Sequence, residues 1–118
     1  MTPDVTPALA NLQWTVDHHF LHIQNHSPFA RAIAVQFELA YTDMRIVELA
    51  LQLRDPVPVD LLSAFRTTYA AIRNYEWPFI AGGPEEYYAQ HGADFSDYQQ
   101  QVTEFDALIA QISALATN

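Results

Sequence analysis

Four of the five histidines fall in one stretch, Asp17-His18-His19-Phe20-Leu21-His22-Ile23-Gln24-Asn25-His26. His18, His22 and His26 are four apart, so on a helix they share one side, and two imidazoles at that spacing can hold one transition-metal ion. A complete site needs more ligands than these. Di-iron sites in helical bundles use a Glu-x-x-His pair on each of two helices, and that pair does not occur here. On a helical wheel His18 points away from Leu12 and Val16, toward solvent. The expectation is therefore no cofactor, with a divalent transition metal on His18, His22 and His26 as the alternative.

His19 differs from its neighbours because it occupies a position on the apolar stripe. A histidine there is expected to be neutral and hydrogen-bonded. Gln36 and Asp43, one heptad apart between two apolar stripes of the next helix, are expected to be sheltered too. An unpaired carboxylate in that place is costly, so Asp43 should pair with His19, Arg66 or Arg73. A polar pair that fixes register is the first reading, and a catalytic acid and base sharing a pocket the second. The rival is a ligand- or metal-binding bundle with its site among His19, His22, Asp43 and the aromatics of the third helix. For nucleophilic catalysis there is no Gly-x-Ser-x-Gly elbow, and Gly82-Gly83 leads to Pro84 rather than to the lysine of a phosphate loop. No catalytic residue is assigned.

The elements that would position these groups are marked by prolines. Thr6-Pro7 reads as a cap followed by a first-turn proline, and Leu9, Leu12, Val16, His19 and Ile23 follow at helical spacing, giving a helix from about Pro7 to Asn25. Ser27-Pro28 reads as a second such start, with Pro56 as the stop of a long helix over Ser27 to Arg54. Ala30, Ile33, Phe37, Ala40, Met44, Val47 and Leu51 form its core stripe. Val35, Leu39, Ile46, Leu49 and Leu53 fall on a different side. A helix with two stripes either lies at the centre of its own domain or meets another chain, and a small domain has few helices to cover it. These five residues are the expected dimer interface, and Arg31, Glu38, Arg45, Glu48 and Gln52 the wet strip.

A third helix is expected from Val59 or Asp60, carrying Leu62, Phe65, Tyr69 and Ile72 inward and closed by Pro78. An aromatic loop follows, then a short helical piece from Glu85 to His91 ended by Gly92. The last helix starts after a cap at Asp94 or Ser96 and places Tyr98, Val102, Phe105, Ile109 and Ile112 on one side. No alternating strand pattern is present. The fold expected is all-α, an antiparallel four-helix bundle with a short extra helix before the last long one, forming a single domain over residues 1–118.

At 118 residues with 50 % hydrophobic and 16 % charged content, one core is affordable without staples, and the absence of cysteine removes disulfides and thiolate chemistry. No leader and no membrane span is read, and the expected location is cytoplasmic. Net charge is −9, with five arginines and no lysine. Direct nucleic-acid binding, which needs a basic footprint, is not expected. After Arg73 every charge is acidic, a balance of −7 against −2 before it. Solubility explains such a surface, as does steering toward a basic protein partner or mimicry of a nucleic-acid backbone by an inhibitor. Trp77, Phe79, Tyr87 and Tyr88, flanked by Glu85 and Glu86, are the expected partner-binding residues. Together these features point to a small acidic non-enzymatic protein working through protein–protein interaction, as an inhibitor, an immunity or anti-defence protein or an accessory subunit, and forming a homodimer.

Overall fold

Pro7 fixes the start of the first helix in the computed structural model, which describes residues 4–116. Helix α1 spans Thr6–Gln24, with proline in its first turn where no amide partner is required. The capping oxygen comes from Asp4, which accepts the Thr6 N–H at 3.0 Å. That bond holds the Asp4 carboxyl below its ordinary range. Met1 to Pro3, read above for a leader, lie outside the described residues.

The close of α1 overturns the expected start of α2. His26 adopts a left-handed conformation, φ 53°, and the Ser27 and His26 amides donate back to the His22 and Ile23 carbonyls at 2.9 and 3.2 Å. This paired closure uses Ser27 as the last residue of the α1 terminus. Ser27 therefore does not cap α2. The helix begins four residues later and spans Arg31–Gln52, after Ala30 in an extended conformation with no side-chain cap. Ala30, expected in the core stripe, is accordingly exposed. The Asp55–Pro56 peptide beyond its other end is cis.

Helix α3 spans Val59–His91, and here too the proline reading needs correction. Pro78 lies inside the helix and is buried, so Trp77 to Gly82 is helical rather than a loop. The break comes at Gly83, φ 81° and ψ −172°, a conformation open in practice only to glycine. The short piece after Pro84 thus continues α3 across a kink. A Cβ at Gly83 would meet no atom within 4 Å, so Gly83→Ala introduces backbone strain without a clash. The expected cost is about 1–3 kcal/mol, read from the urea midpoint at unchanged slope.

A 3-10 turn, Gly92–Asp94, leads into α4, Phe95–Ala116. Among the described residues there is no strand, and the all-α class is shown. Leu12, Val16 and Ile23 of α1 meet Val47 of α2, Phe65, Ile72 and Phe79 of α3, and Phe105 and Ile112 of α4 in one core. Phe105 stacks on Phe65 with ring centroids 5.7 Å apart. Helix α1 packs on all three others and α3 on α2 and α4, whereas α2 and α4 do not meet. Because only α1 and α3 seat α2, much of its circumference is left open.

Candidate functional site

The open side of α2 carries a row of exposed apolar residues. Ile33, Phe37, Ala40, Met44, Val47 and Leu51 are buried, as a core stripe should be. Val35, Leu39, Ile46, Leu49 and Leu53 remain 43 to 71 % exposed. The helix is therefore not central to its own domain. Single exposed apolar residues are ordinary on protein surfaces, but a row of five along one helix is the kind of patch that a binding surface presents.

Inside the molecule the polar centre differs from the one expected. His19 is fully buried, and its Nδ1 lies 2.8 Å from Oε2 of Glu76, itself 4 % exposed. Glu76, rather than Asp43, is thus the partner of His19. The signal for Glu76 was in the α3 stripe, since Phe65, Tyr69, Ile72 and Phe79 bracket it at helical spacing; reading Pro78 as a stop hid it. Tyr98 of α4 sits near this pair. Burial, and then the negative charge of Glu76, push its hydroxyl well above the ordinary tyrosine range. The Tyr98 and Tyr87 hydroxyls and His19 Nε2 are buried with no protein hydrogen-bond partner. The buried pair ties α1 to α3.

Asp43 has no ion-pair partner among the described residues, and partial burial raises its carboxyl. Gln36 is half-buried with Oε1 unpartnered. Arg66 instead meets Glu48, which also contacts Arg45. Glu48, expected in the wet strip, is 5 % exposed because it turns between α2 and α3. Arg73 lies over the Phe37 ring at 4.1 Å and donates to the Phe37 carbonyl at 3.4 Å. Arg66 and Arg73 line a shallow groove of about 370 Å³ with Tyr41 and Tyr69.

A carboxyl pair joins α1 to α4. Asp106 is pushed up to about 7 by burial and by the adjacent Asp17, with which it can share a proton. Burial raises Asp17 as well. With a folded value above the unfolded one, the native state binds more protons between about pH 4 and 7, so stability falls as pH rises through that window. Asp106→Asn should raise the melting temperature at pH 8 and leave it nearly unchanged at pH 4, flattening the profile in thermal scans. No spacing rule pairs Asp17 with Asp106, because they come from opposite ends of the chain.

The histidine row does not converge. Trp14 stacks on His18 at 4.5 Å and His18 meets His22 edge-on at 4.5 Å. His26 has left the helix and stacks on Tyr88 at 4.2 Å. Among the described residues no group of three or more His, Cys, Asp or Glu side chains is arranged to hold a metal ion. Partial burial and the neighbouring His22 and His19 lower the His18 value.

The aromatic segment also divides. Phe79 and Tyr87 are fully buried in the core and are not surface anchors, which corrects their assignment to partner binding. They face inward because the segment is helical and presents them at core positions. Tyr88 is half-buried and donates to the Ile23 carbonyl at 2.8 Å, closing the α1 terminus. Only Trp77, 56 % exposed, and the exposed Glu85 and Glu86 remain on the surface. No helix among the described residues is long and apolar enough to cross a membrane. No family model matches this chain, and comparison with curated proteins and with solved structures yields no match.

Proposed function

We propose that this chain is a non-enzymatic interaction protein of the cytoplasm, an antiparallel four-helix bundle that forms a homodimer through the outer side of α2. The observation that carries the reading is the uncovered row of Val35, Leu39, Ile46, Leu49 and Leu53. Burying such a row removes apolar area from water without disturbing the core beneath it. The acidic last third, with exposed Trp77 and the Glu85-Glu86 pair, then supplies a surface for a basic protein partner. An inhibitor, an immunity or anti-defence protein or an accessory subunit would work in this way. Light scattering tests the assembly: a molar mass near twice 13.4 kDa supports it, and 13.4 kDa at all concentrations removes it.

A further inference from the structure

The uncovered row is a heptad seam. Val35, Leu39, Thr42, Ile46, Leu49 and Leu53 are spaced alternately by four and three and all six are exposed; the first five run along one side of α2 and Leu53 is its C-cap. Seams of this spacing accept another helix with the same spacing. Glu38, Arg45 and Gln52 flank one edge of the seam, and Gln36, Asp43 and Ala50 flank the other.

We infer that the occupant is α2 of a second copy, running antiparallel, with the two-fold axis passing between Leu39 and Thr42. The inference rests on the homodimer proposed above and specifies its geometry. Charge decides among the possible arrangements. In a parallel pair opposite edges face each other, which brings Glu38 against the second copy's Asp43, carboxylate on carboxylate, twice. In an antiparallel pair like edges face each other. Centred between Leu39 and Thr42, that arrangement sets Glu38 against Arg45 of the second copy, and Arg45 against its Glu38. On the other edge Gln36 comes opposite Asp43 of the second copy, where its side-chain N–H2 can donate to the carboxylate. Centred half a heptad further on, near Met44, Arg45 would instead face Arg45 of the second copy. Only the first arrangement pairs unlike charges on one edge and puts no like charges together on the other.

The seam layers agree with that centre. Leu39 packs beside Thr42 of the second copy and Val35 beside its Ile46, each pair occurring twice. Leu49 comes opposite Ala32, whose small side chain leaves room for it. Thr42, the one polar member of the seam, lies next to the axis, where its hydroxyl can reach the same group of the other copy.

The chain has no cysteine, so single cysteines report the pairing without interference. The test uses the full chain carrying Thr42→Cys, Val35→Cys or Ile46→Cys, treated with a bis-maleimide that spans about two helical turns at most. Thr42→Cys should cross-link to itself, its two copies lying about 4 to 5 Å apart along the axis at 1.5 Å per residue. Val35→Cys alone should not, because its copies are offset by about 16 Å, whereas an equimolar mixture of Val35→Cys and Ile46→Cys should cross-link to a heterodimer. Self-linking of Val35→Cys would show a parallel pair and overturn the inference while leaving the homodimer standing. A dimeric mass without a link at any of these sites would place the interface off α2 and overturn it too. A monomer at every concentration would remove both the geometry and the homodimer. Each variant has an exposed position replaced, and circular dichroism confirms its fold. As a second readout, Glu38→Arg should raise the dimer dissociation constant roughly three- to tenfold, and the exchange Glu38→Arg with Arg45→Glu should recover part of that loss.

Discussion

Replacing Glu76 with alanine is expected to lower the unfolding free energy by about 3 kcal/mol, the largest single-site loss anticipated outside the hydrocarbon core. The carboxylate is buried and, among the described residues, is the hydrogen-bond partner of His19, whose other ring nitrogen already lacks one. Truncation therefore leaves a buried imidazole with neither ring nitrogen satisfied and a void where the side chain stood. The void term is largely absent from Glu76→Leu, which fills most of the volume, so the two variants separate packing from polarity. If the pair acts as a unit, His19→Leu in the Glu76→Leu background should restore much of the loss, because a well-packed apolar replacement removes both desolvation costs together. Urea denaturation of the four chains gives the coupling directly. Additive losses would show that His19 and Glu76 are neighbours without being partners.

Ile46→Glu should release monomers. Each half-exposed apolar residue of the row gains about 1 kcal/mol when covered, so Val35, Leu39, Ile46 and Leu49 in two copies supply roughly 8 kcal/mol, comparable to the 4–15 kcal/mol cost of association. Such a balance leaves little margin. A glutamate at position 46 places two carboxylates in the covered seam, and the dissociation constant should rise at least about a hundredfold, equivalent to roughly 3 kcal/mol. Ile46 is 43 % exposed in the single chain, so the monomer itself should lose no more than about 0.5 kcal/mol. A dilution series with light scattering then shows loss of mass while the helical signal is retained. Unfolding of the variant would mean that Ile46 supports the chain's own core.

What could be read from the sequence follows from how local its causes are. Helical periodicity placed Ile33, Phe37, Val47 and Leu51 inside and Leu39 and Leu53 outside, since both depend only on spacing along one helix. Termini were less legible. Ser27-Pro28 has the composition of a helix start, but the left-handed turn at His26 claims Ser27 first, and nothing in the local pattern announces that a histidine will adopt that conformation. Pro78 has the composition of a stop, but its neighbours Phe79 and Ile80 pack into the core, and this tertiary contact holds the helix through the proline as far as Gly83. The site suffered from that misplaced end. With Pro78 read as a boundary, the α3 stripe stops at Ile72 and leaves out Glu76, and Asp43, a carboxylate on the wrong helix, stands as a candidate partner of His19. Pairings between distant segments, His19 with Glu76 and Asp17 with Asp106, depend on how helices dock, which no single-helix pattern encodes.

The claim on which the functional reading stands is that a second copy covers the outer side of α2. Sedimentation equilibrium of the unmodified chain, from low to high micromolar concentration at physiological salt, addresses it most directly. The expected result is a mass that climbs from 13.4 kDa toward twice that value and goes no further. A mass fixed at 13.4 kDa throughout, with α2 intact, would contradict it.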